Sequence, residues 1–293
     1  MAFSVNNLRR ARWNESQTKL WLAERLCYNS DAMGREYVAL EQAGVVARLT
    51  LRACDGGNLA TRALSRELRD ACDAIAANPD CRVVLLSAEG DAFCRGWDWQ
   101  ALSGEGGDPV AAMRAQGLPA DPFGCLAELP QPVVCALNGD AIGAGLELAL
   151  ACDVRIAAET VSFAVPEVAM GLLPLAGGTQ RLPRLVGRGK ALEMVLTGGS
   201  IDAQEALGIG LVSAVVPADR LLAEAEAIAA RIAERGPLAV RYAKEAISRG
   251  LEMPLAQALR YETDLTIILQ TTEDRAEGVK AFLEKRKAEF NGR

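Results

Sequence analysis

Two glutamates stand in surroundings that carboxylates seldom keep. Glu147 lies in GAGLELALACD, within the first turn or two of an apolar helix launched by a glycine turn, with Leu146, Leu148, Ala149 and Leu150 as neighbours. Glu167 lies in FAVPEVAMGLLP, directly after Pro166. A glutamate so flanked is either a surface residue on the outer face of its element or a buried acid with a raised pKa. The chain has no histidine. That removes Ser-His-Asp and Cys-His nucleophile systems, histidine-ligated zinc and iron, and imidazole as a general base, so proton transfer falls to Asp, Glu, Lys, Tyr or Cys. In such a chain the two glutamates together read as an acid/base pair.

The backbone supplies a second component. A strand, a glycine turn and a helix start follow one another across 141–146 and aim free N–H groups at one spot, the usual construction of an oxyanion site. A matching turn, Phe93-Cys94-Arg95-Gly96-Trp97-Asp98, follows an earlier apolar run. Either turn alone is also an ordinary tight connection. Two N–H donors from separate strand ends grip a developing enolate oxygen, each contributing roughly 3 to 4 kcal/mol to a transition state.

Two nucleotide motifs fail. Gly143-Ala144-Gly145 begins like a dinucleotide fingerprint, but Leu148 holds the third glycine position and no acidic ribose ligand follows. Gly187-Arg188-Gly189-Lys190-Ala191 resembles the end of a phosphate loop, yet Arg184 and Ala191 stand where a glycine and a Ser/Thr are needed.

The elements that must position these groups follow from hydrophobic patterning. Strands are predicted at 45–51, 82–87, 133–137, 153–157 and 211–216, several as unbroken apolar runs suited to burial on both faces. Leu64, Leu68, Ala71, Cys72 and Ile75 recur at helical spacing. Strands alternating with helices indicate an α/β fold. The Gly- and Pro-rich stretch 103–124 reads as a lid or an insertion. Beyond residue 220 four helices are predicted, at 221–235, 237–249, 255–269 and 274–290. The expected organisation is an N-terminal extension, 1–35, predicted helical, then a core at 36–220 and a helical region at 221–293.

Half of the 293 residues are apolar and the formal net charge is −6, which suits a buried core and argues against nucleic acid as a partner. The eight cysteines form no CxxC and sit in apolar contexts, so they are expected to be reduced and mostly buried, in a cytoplasmic protein. No apolar run reaches membrane-spanning length, and Glu15 and Glu24 beside Arg9, Arg10 and Arg12 favour a surface helix over a transit peptide. No metal site and no cofactor are expected.

The segments AFCRGWD, PQPVVCALNGDAIGAGLELALACDVRIAAE, FAVPEVAMGLLPLAGGTQRLPRLVGRGKALEMVLTGGSIDAQEALGIGLVSAVVP and AFLEKRKAEF resemble the enoyl-CoA hydratase/isomerase family, the crotonases, from about residue 36 to 290. The resemblance implies a crotonase-like spiral of ββα units with a helical C-terminal region that mediates assembly as trimers or hexamers, acting on acyl-CoA thioesters. By motif, Trp97 and Ala144 would donate the two N–H groups, and Glu147 and Glu167 match the family's two catalytic glutamates. It further implies nucleotide contacts around Ala92 and Cys94, and at Phe282 and Lys285 from the C-terminal segment. Reversible hydration of an enoyl-CoA is the expected reaction, with isomerisation or carbon–carbon bond hydrolysis as the alternative enolate chemistry and a non-catalytic RNA-binding or scaffold role more remote. Trp97, Trp99 and Asp140 depart from the family pattern, and with the 103–124 stretch they are expected to shape the acyl pocket for a bulky, cyclic or polar group.

Overall fold

The structure, a computed structural model, describes residues 37–52, 57–99 and 121–293. The expected helical extension at 1–35 and most of the 103–124 stretch lie outside the described residues. The chain begins with a hairpin, β1 (Val38–Ala43) and β2 (Val46–Leu51), antiparallel in register and turned at Gly44. Strand β1 was not among the predicted strands. It is short, and only its first half is buried, so it carries little pattern of its own.

Helix α1 (Arg62–Ala76) starts where Thr61 accepts the Leu64 N–H at 3.0 Å, an N-cap that satisfies one of the donors left open at a helix start. It buries Leu64, Leu68, Ala71, Cys72 and Ile75, the face expected from their spacing. Strand β3 (Val83–Ala88) leads directly into β4 (Ala92–Cys94). After α2 (Gly124–Glu128) the pattern recurs as β5 (Val133–Leu137), β6 (Asp140–Ile142) and α3 (Ala144–Leu150). It recurs again as β7 (Val154–Ala158) and β8 (Ser162–Ala164), followed by a 3-10 turn at Glu167–Met170 and by α4 (Gly178–Val186) and α5 (Arg188–Thr197). The strand pair β9 (Ile201–Asp202) and β10 (Ala214–Val216) flanks α6 (Ala203–Gly208).

Each repeat sends its first strand to one sheet and its second to another. The larger sheet has the order β1-β2-β3-β5-β7-β10, parallel apart from the hairpin, and the smaller has the order β4-β6-β8-β9. This is the expected spiral of ββα units. Every residue of β5 is buried, as a parallel strand covered on both faces requires. All six cysteines among the described residues are buried.

The C-terminal region is α7 (Leu221–Ala233), α8 (Pro237–Gly250), α9 (Leu255–Gln270) and α10 (Glu273–Glu284). Two expectations are corrected. The helix predicted at 274–290 stops at Glu284, because Lys285 takes a left-handed conformation (φ 54°) and the tail turns back. There the Asp274 carboxylate accepts the N–H groups of Asn291 and Gly292, and Arg286 forks onto Glu277. The strand predicted from residue 211 starts at Ala214, since the Leu211 N–H is spent on the Ala206 carbonyl at the end of α6. Among the described residues no helix is long and apolar enough to cross a membrane.

Candidate active site

The smaller sheet brings the two glycine turns side by side. Parallel pairing sets Ala92 against Asp140 and Cys94 against Ala141, with an irregularity between the two pairs. Beyond the strand ends, Gly96 lies against the Ile142 carbonyl. Gly145 packs so closely on Cys94 that a Cβ there would fall 2.0 Å from the Cys94 carbonyl oxygen, so only glycine lets α3 start this near β4.

Both turns present an N–H with no acceptor among the described residues. Trp97 forms an isolated parallel bridge with Ala60, in which Ala60 donates to the Gly96 carbonyl at 2.7 Å and Asp98 donates to the Ala60 carbonyl at 2.9 Å. Backbone groups alternate along an extended chain, so the N–H of Trp97 itself points away from Ala60. Ala144 is the first residue of α3, and its N–H belongs to the helix's open first turn. At its other end α3 is held by Arg155, whose guanidinium donates to the carbonyls of Ala149 and Cys152.

Both glutamates are buried, Glu147 at 0% exposure and Glu167 at 2%, so the solvated-surface alternative does not hold. Oε1 of Glu147 accepts the N–H of Ala176 at 2.8 Å and of Gly178 at 2.7 Å, while Oε2 has no partner among the described residues. Burial raises its pKa; hydrogen bonds from Gly178, Ala176 and Leu175 and the nearby Arg181 charge oppose that rise. Glu167 opens the 3-10 turn, with Oε1 against Gly143 and Oε2 unpartnered. Burial pushes its pKa up to about 7; its own backbone N–H opposes the rise, and the Glu147 charge adds to it. The two carboxyls therefore sense each other. The backbone hydrogen bonds favour charge on Glu147, and their near absence at Glu167 favours the proton there.

The other predicted site residues fall as follows. The Trp97 ring is buried at 3% exposure and stacks on Phe123, with centroids 5.8 Å apart and planes 16° from parallel; its indole N–H has no partner among the described residues. Trp99 is half-buried against the same core. Asp140 is partly exposed and lies 3.6 Å from Arg95. Ala92 and Cys94 are fully buried, and the Ala92 carbonyl accepts from Asn58 at 2.8 Å, so in this turn the exposed residue is Arg95. Phe282 is 83% exposed on α10 and Lys285 caps that helix. Sequence reasoning missed the 176–178 loop that grips Glu147; the glycine pair Gly177-Gly178 was the available signal. Among the described residues no group of three His, Cys, Asp or Glu side chains could hold a metal ion.

A spiral of ββα units with two buried carboxyls beside two open N–H donors defines a class, and comparison with known proteins agrees. The chain belongs to the enoyl-CoA hydratase/isomerase family, whose model matches residues 41–293. It is similar to YngF of Bacillus subtilis, 43% identical over 84% of this chain and 95% of that protein. It is likewise similar to the crotonyl-CoA hydratase of Syntrophomonas wolfei, 38% identical over 88% of this chain and 99% of that one. The solved enoyl-CoA hydratase of Bacillus anthracis superposes with a TM-score of 0.82 at 40% identity, covering 88% of this chain and 100% of that structure.

Proposed function

We propose that this protein is an enoyl-CoA hydratase, adding water reversibly across the 2,3-double bond of an enoyl-CoA thioester. The observation that carries the reading is the pair of buried glutamates, each with one unpartnered oxygen, next to two unpartnered main-chain N–H groups. The thioester oxygen sits between the N–H groups of Trp97 and Ala144, which stabilise it as it gains enolate charge. Water then adds at the β-carbon. Glu147, its Oε1 fixed by two backbone donors that favour its charged form, takes a proton from that water, and Glu167, the acid kept protonated near neutrality, delivers one to the α-carbon. The reverse sequence dehydrates the 3-hydroxyacyl-CoA. All charge that develops is met by backbone dipoles and the two carboxyls, so the chemistry calls for no added cofactor.

The acyl group is assigned to the wall formed by the Trp97–Phe123 stack, with Trp99 and Asp140 at its margin; Trp97 carries both a thioester donor and a ring within a side chain's length of the reacting carbons. A bulky or polar acyl group fits this wall better than crotonyl. Nucleotide contact is assigned to the turn after Cys94 through Arg95, and to Phe282 and Lys285 acting across a subunit boundary. Ile247, Leu251, Leu255 and Leu283 are exposed apolar residues of the C-terminal helices, which supports a homotrimer or hexamer. The buried cysteines, which sit in apolar contexts with no CxxC pair, support a cytoplasmic setting.

The test is loss of the enoyl-thioester ultraviolet absorbance with crotonyl-CoA and a panel of branched, cyclic and aryl enoyl-CoA esters. Hydration of any member supports the reading, and turnover of none while a 3-enoyl ester is isomerised would replace it with the isomerase alternative. A preference for crotonyl-CoA unchanged by Trp97→Phe would remove the tryptophan from the acyl pocket.

A further inference from the structure

Glu147 is gripped by a loop, and the loop itself is gripped from behind. Ala176, fully buried, gives its N–H to Glu147 Oε1 at 2.8 Å and its carbonyl to Arg181 Nη1 at 3.1 Å. The main-chain N–H of Arg181 donates to the Gly177 carbonyl at 2.7 Å as part of the α4 start, so the hold that belongs to the side chain is the one on the Ala176 carbonyl, between the two donors. Its guanidinium is in turn fixed as a fork on Asp121, with Nη1 on Oδ1 at 3.1 Å and Nη2 on Oδ2. A bidentate pair of this kind sets orientation as well as charge.

We infer that Arg181, braced by Asp121, is a positioning residue for the hydration step: it holds the 176–178 loop so that both of its N–H groups bind one oxygen of Glu147 and leave the other oxygen aimed at the reacting water. This rests on the hydratase reading, with Glu147 as the group that accepts the proton from water. A carboxyl pinned through one oxygen has one rotamer and one free lone-pair direction, and the orientation of a proton acceptor decides its rate. The groups facing Glu147 are few. Arg181 comes from α4 and Glu167 from the 3-10 turn, and these are the charged groups of the described residues that act on its carboxyl. The positive charge of Arg181 favours ionisation of the carboxyl, so its loss also makes Glu147 harder to ionise.

The experiment compares Arg181→Met, Arg181→Lys and Asp121→Asn with the wild-type full chain on a turned-over enoyl-CoA, measuring kcat, KM and the pH dependence of kcat/KM. Arg181→Met is expected to lower kcat about 10-fold or more, less than the loss of Glu147 itself, with KM nearly unchanged and the acidic limb moved to higher pH. Arg181→Lys, which keeps the charge and loses the fork, is expected to return the acidic limb and only part of kcat. Asp121→Asn, with the charge of Arg181 intact, lowers kcat with the acidic limb in place, and it serves alone if Arg181→Met does not fold. A folded Arg181→Met enzyme with an unmoved acidic limb overturns the proposal, as does wild-type kcat in Asp121→Asn, since bracing of the fold alone accounts for either result. Glu147→Gln is run alongside: if it keeps turnover, the hydratase roles fail, and the fault lies there and not with Arg181.

Discussion

Gly143 and Glu167 touch: a Cβ on Gly143 would lie 2.3 Å from Oε1 of Glu167, and Gly143 holds φ 52° and ψ −118°, a conformation L side chains rarely adopt. The turn that opens α3 thus forms the floor under the carboxyl from the 3-10 turn. Gly143→Ala is expected to cost about 1–3 kcal/mol of stability through backbone strain and to displace the Glu167 carboxyl, lowering kcat by about 10-fold or more. Chemical denaturation and steady-state turnover check it, and a stable variant with wild-type kcat would show that Glu167 has room to move.

Glu147→Gln and Glu167→Gln are each expected to lower kcat by about 10²-fold or more, because each removes one proton transfer, while affinity for a non-reacting CoA ester stays within a few-fold. Near wild-type hydration by either variant removes that residue from the acid/base pair.

The raised pKa of Glu167 sets a sign for stability. The folded state holds its proton up to about 7, whereas the unfolded chain loses it near the ordinary value of 4.5. Between these values the native state binds more protons than the unfolded one, so the stabilisation is fully present below 4.5 and is lost as pH rises through 7, roughly 3 kcal/mol for this group. Urea unfolding at pH 5 and pH 8 is expected to show a larger fall for wild type than for Glu167→Gln. The same ionisation removes the acid, so kcat falls above about pH 7. Equal pH dependence in the two proteins would contradict this.

Ala144→Pro is expected to abolish turnover with the fold retained. Proline is well accepted at the first position of a helix, where the N–H makes no helical bond, yet here that N–H is the proposed oxyanion donor. Circular dichroism reports the fold and the hydration assay the activity. A folded variant that still hydrates takes Ala144 out of the oxyanion site.

What the sequence alone determined was local. Apolar runs marked β2, β3, β5 and β7 to within a residue, because strands buried on both faces tolerate few polar side chains, whereas β10 begins three residues later than expected and the three-residue strands β4, β6 and β8 were too short to show a pattern; helical spacing marked the buried face of α1. The lack of histidine narrowed the chemistry, and the glycine turn before Ala144 placed a helix start at a strand end. The tertiary structure decided whatever depends on chain segments far apart. Glu147 could have been a solvated helix residue; it is a buried acid because donors at Ala176 and Gly178, 29 and 31 residues later, close over it. The Trp97 ring is oriented by Phe123, 26 residues later, which stacks on it. Helix α10 stops at Glu284 because the tail has partners in Asp274, Glu277 and Arg82. Spacing encodes which face of an element is apolar, but burial of a charge and the direction of a ring are set by what the rest of the chain packs against them.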